Sequence, residues 1–135
     1  MLMRISNFCS CVFLMTVLGF SVVSAQSTLV LATNYDAVLV VGESESRITS
    51  RSKVRNGSTI PVQFTKHRIN ITLSEGAPGE FQAELNVFER TPDGWYLINT
   101  DPLKFGGTYT TPVEYQWRLG EIYLNLAIVV SIANH

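Results

Sequence analysis

The chain reads as an all-β protein, an antiparallel β-sandwich of immunoglobulin-like architecture with seven or eight strands. Three observations predict it. Several segments alternate apolar and polar residues with period two, the signature of a strand with one face in a core. Turn residues such as Asn56-Gly57 and Pro92-Asp93-Gly94 separate them. Beyond the first 25 residues no stretch has a helical period, a repeat or low complexity. A small closed barrel is the alternative, since alternation alone does not separate the two.

Met1 to Ala25 carries a single charge, Arg4, followed by an apolar run from Cys11 to Val23 and small residues before Gln26. This is the layout of a secretory signal peptide, with cleavage expected after Ala25 and a single domain over 26–135. The run falls short of the roughly 20 apolar residues a membrane span needs, so no stable span is expected after cleavage. Both cysteines, Cys9 and Cys11, lie inside the leader. The mature domain must therefore cohere through its core without disulfides, which a chain of this size can do.

In chain order, Thr28 to Leu31 and Ala37 to Val41 form one strand or two, ending at Gly42. Glu43 to Arg55 looks like a loop until its parity is read. Arg47, Thr49, Arg51, Lys53 and Arg55 share one face, and Ile48, Ser50, Ser52 and Val54 the other. Asn56-Gly57 suits a type I′ hairpin turn, predicting that Ser58 to Lys66 folds back onto Arg47 to Arg55. Pro61 marks that strand as an edge or a bulge. Arg68 to Ser74 alternates cleanly, as does Glu80 to Glu89, where Phe81, Ala83, Leu85 and Val87 share the dry face. Thr91 to Gly94 then turns the chain back through Trp95 to Asn99. Thr100 to Thr111 reads as a Gly- and Thr-rich connection anchored by Leu103 and Phe105. Val113, Tyr115 and Trp117 form the core face of the next strand. The last strand, Glu121 to Ile132, has one apolar face and one mixed face, as suits a central strand or one covered near its end.

Charge and chemistry exclude more than they assign. Removing Arg4 leaves nine basic against eleven acidic residues, a net charge of −2, which argues against nucleic acid or an anionic membrane as partner. The only histidines are His67 and His135, with His67 between Lys66 and Arg68 as expected of a solvated strand end. Without mature cysteines, zinc lacks its usual ligands, and no G-x-S-x-G elbow or carboxylate spacing marks a hydrolase or a calcium loop. The expectation is no cofactor and no enzyme. Asn56-Gly-Ser and Asn70-Ile-Thr are formal glycosylation sequons, relevant only in a eukaryotic source.

The candidate partner-binding residues are the cationic stripe of Arg47, Arg51, Lys53 and Arg55. It can protect an exposed edge from unwanted strand addition, or it can dock an acidic partner through arginine forks. Of the aromatics, Trp95 and Tyr96 point opposite ways, so one of them stands at a rim.

The run SRSKVRNGSTIPV, the alternating RINITLS strand, the strand ending in a DG turn and the terminal IYLNLAIVVS resemble small periplasmic β-sandwich proteins of the curli-chaperone type, which keep amyloid subunits from polymerising. Some members carry a Cys-x-Cys feature that the mature part of this chain lacks. The resemblance implies a periplasmic or secreted, non-enzymatic binding or assembly factor that contacts another exported or envelope protein through a strand or charged face. A structural subunit that assembles by strand exchange is the alternative, motivated by the long apolar strand Glu121 to Ile132.

Overall fold

A computed structural model describes residues 29–133; the expected signal peptide and His135 lie outside the described residues. The described chain is all-β, with nine strands in two antiparallel sheets facing each other as a sandwich. In order they are β1 (Val30–Val41), β2 (Ser44–Arg55), β3 (Thr59–Gln63), β4 (His67–Glu75), β5 (Glu80–Thr91), β6 (Gly94–Leu97), β7 (Leu103–Thr108), β8 (Val113–Leu119) and β9 (Ile122–Ile132). One sheet has the order β2-β1-β9-β8. The other is β3-β4-β5, with β6 and β7 sharing the remaining edge of β5. Among the described residues no ladder joins the two sheets, so they form no closed barrel.

β1 is one strand, because Thr33 and Tyr35 continue its inward parity and are buried between Leu31 and Ala37. It pairs with β2 over twelve rungs without a bulge and with β9 on its other side. The core lies where the inward residues of β1, β4, β5 and β9 meet; Leu31, Ile71, Leu73, Leu85, Leu124 and Val130 are fully buried. Each such side chain stabilises the fold by about 1.5–3 kcal/mol relative to exposure. β9 is a central strand, paired with β1 along its length and with β8 from Ile122 to Ile128.

Two expectations are corrected here. Asn56-Gly57 does not close a hairpin between β2 and β3; β3 pairs with β4 in the opposite sheet. A type I′ turn needs positive φ at both central residues, and only Gly57 has it, at 88°. With Ser58 N–H bonded to the Arg55 carbonyl at 2.9 Å, the turn has the type II pattern, which splays its flanking segments. The Asn56 side chain holds this crossing, its Oδ1 accepting from the Glu75 amide at 2.8 Å. Pro61 indeed sits in an edge strand.

The second correction is the segment after Asn99, which contains the strand β7. Its Gly106 and Gly107 pair with Gln82 and Phe81. A β-carbon at Gly106 would stand 2.6 Å from the Phe81 carbonyl oxygen, so these glycines permit a close approach of β7 to β5. Phe105 then stacks on Tyr115 of the other sheet, ring centroids 4.8 Å apart, and closes that side of the sandwich.

Candidate functional site

β2 is an edge strand, and its outward face carries the whole cationic stripe. Arg47, Arg51, Lys53 and Arg55 are all exposed and share a parity. The strand forms here because the type II′-like turn at Gly42, with φ of 62°, folds it directly onto β1. Arg51, Lys53 and Arg55 follow one another about 7 Å apart on that face, within one Debye length at physiological salt, while Arg47 stands about 13 Å from Arg51.

The stripe is not uniform. Arg47 is engaged by Asp36 of β1, Nε donating to Oδ1 at 2.9 Å and Nη2 to Oδ2 at 2.6 Å. Thr49 adds a third hydrogen bond to Asp36 Oδ1 at 3.0 Å. The Arg47 guanidinium holds the Asp36 carboxyl down at about 2 against the opposing effect of desolvation, with a lesser contribution from the Thr49 hydroxyl. Arg51, Lys53 and Arg55 form no ion pair among the described residues. The unspent charge therefore lies at the Arg55 end.

The inward face of β2 is also incomplete. Ile48, Ser50, Ser52 and Val54 are only half-buried, because the opposing β3 is five residues long while β2 has twelve. An added strand on the β2 edge would meet main-chain groups along its length, cations on one side and a thin apolar margin on the other.

Outside the stripe, His67 falls differently from its sequence reading, the Trp95–Tyr96 pair is resolved, and Asn99 is new. His67 is buried, at 6% exposure, and is not a solvated strand end. It shares the inward parity of Ile69, Ile71 and Leu73 and stands opposite Glu89, its Nε2 3.7 Å from Glu89 Oε2. Continuing the alternation of β4 by one more step would have found it. Tyr96 is the exposed member of its pair, at 66%, and Trp95 lies half-buried on the outer face of the second sheet. Asn99, which no sequence pattern singled out, is buried and stands in for a strand. Its Oδ1 accepts from the Val87 amide at 2.7 Å and its Nδ2 donates to the Asp101 carbonyl at 2.9 Å, in the gap where β6 has left β5 and β7 has not begun.

Among the described residues no three His, Cys, Asp or Glu side chains gather as metal ligands. No family model matches the chain, and neither a curated protein nor a solved structure matches it.

Proposed function

We propose that this chain is an exported, non-enzymatic binding or assembly factor that contacts another exported or envelope protein through the β2 edge. The observation that carries this reading is a twelve-residue edge strand, free of proline and bulges, with Arg51, Lys53 and Arg55 on its exposed face and in no ion pair among the described residues. Strand addition there gains affinity from main-chain hydrogen bonds, and the stripe selects a segment with carboxylates at alternate positions. Its small or apolar residues would then fall against Ile48 and Val54. The reading includes the chaperone-like role implied by the curli-type resemblance, in which an occupied edge keeps a partner from polymerising.

The test is capture of a partner from an envelope extract with wild-type protein and with the double variant Arg51→Glu, Lys53→Glu. The expected result is one acidic partner, lost at high salt and absent from the variant. Binding that survives both changes would rule out the stripe. Recovery of the chain alone would favour the self-assembling subunit, with β2 as acceptor, since β9 already has a partner on each side.

A further inference from the structure

The second sheet carries a different site on its outer face, independent of the β2 edge. Arg68 of β4 lies in register with Phe88 of β5, and β6 brings Trp95 alongside. The guanidinium carbon of Arg68 is 5.0 Å from the centre of the Phe88 ring and 4.9 Å from that of Trp95. Two aromatic faces thus fix one cation. Arg68 has no carboxylate among the described residues and makes no side-chain hydrogen bond; its Nε is buried without a partner. A fork held by two rings has little rotamer freedom left to lose, and its planar donors match a carboxylate with two parallel hydrogen bonds.

On one side of it Arg90 stands in register with Trp95, and on the other the ground is polar, its charges being Glu84 and Lys104 in one cross-strand pair. Asn70 and Asn86 face each other in the next row. Asn86 Oδ1 accepts from Asn99 at 3.3 Å, which leaves its own amide hydrogens unused, and Asn70 has no side-chain partner. Beyond them the face sinks over Gly106, which has no side chain, between Ser74, Gln82 and Lys104. From Phe88 to Gln82 this path along β5 is about 20 Å long.

We propose that this face binds an oligosaccharide bearing a single carboxylate, with Arg68 receiving the carboxylate and the Asn70 and Asn86 amides receiving neighbouring hydroxyls. A peptide strand fits less well, because β4 and β5 are paired on both sides and offer no free main chain here. Glu84, one row past the asparagines, disfavours a polyanion charged at every unit. Neutral sugars with one acidic unit satisfy both ends of the path.

The test is an NMR titration of the isotopically labelled full chain with a glucuronate-capped tetrasaccharide and with its glucose-capped counterpart. The expected result is shifts confined to the Trp95 indole, the Arg68 Nε–H and the Asn70 and Asn86 amides, with the neutral sugar bound at least about tenfold more weakly. Arg68→Lys keeps the charge and loses the fork, and it should weaken the acidic sugar by a similar factor while the spectrum stays dispersed. Arg51→Glu with Lys53→Glu should leave the titration unchanged, which separates this site from the proposed protein-binding edge. Equal binding of the two sugars, shifts on β2, no shifts at millimolar sugar, or preferential binding of a carboxylate-ended peptide would each overturn the proposal.

Discussion

Arg47 grips Asp36 across the β1–β2 pair with both arms of its guanidinium, at 2.9 and 2.6 Å, and so removes one cation from the stripe it belongs to. The carboxyl of Asp36 is held at about 2, below the value of about 3.9 expected in an unfolded chain. A depressed carboxylate stabilises the fold above the unfolded value, and that contribution is lost as pH falls through the folded one. Asp36 should therefore titrate near pH 2 by NMR, and stability should decline between about pH 4 and pH 2. In Arg47→Ala the carboxyl should titrate closer to its ordinary range, and in Asp36→Asn this part of the decline should vanish. An ordinary carboxylate value in the wild-type protein would contradict the fork.

Neutralising the remaining cations tests the edge itself. Arg51→Thr with Lys53→Thr keeps strand propensity and removes only surface charge, so folding stability should change by no more than about 0.5 kcal/mol. Sedimentation should show the variant self-associating at concentrations where the wild type stays monomeric, because an uncharged twelve-residue edge is a template for another copy. A monomeric variant would show that other features guard this edge.

Asn99 carries more of the fold than its position in a loop suggests. Replacing it with Ala strips the Val87 amide of its partner in a buried setting. The expected cost is about 1–3 kcal/mol in denaturant unfolding. The hydrogen-exchange protection of Val87 should fall sharply, and unchanged protection would show that another group takes over.

Gly106→Ala should cost about 1–3 kcal/mol, because a β-carbon 2.6 Å from the Phe81 carbonyl forces β7 away from β5. The same substitution at Gly57, where nothing lies within 4 Å, acts only through its positive φ and costs about 1 kcal/mol. Equal losses at the two positions would argue against the close approach.

The strands whose one face is dry were legible from parity alone, above all β4, β5 and β9, since Ile69, Ile71, Leu73, Leu85 and Leu126 declare the core whatever their partners are. The stripe on β2 was legible for the same reason, although its polar residues first read as a loop. What parity does not encode is which strand pairs with which. Asn56-Gly57 permits two turn types, and Asn56 takes negative φ here because its side chain and amide are engaged by Glu75 and Leu29. β7 escaped notice because its glycines answer to a neighbouring backbone 25 residues away in the chain, Phe81 for Gly106, rather than to local propensity. The Arg68 clamp needed β6 beside β5, a tertiary fact that no linear spacing between Arg68, Phe88 and Trp95 announces.

The most direct measurement is the affinity of the captured partner, or of a synthetic segment of it, for the wild-type chain and for Arg51→Glu, Lys53→Glu at low and high salt. The expected result is one acidic segment whose binding protects the β2 amides from exchange, weakens with salt and disappears in the double variant. An affinity indifferent to salt and to both substitutions would contradict the role assigned to the β2 edge.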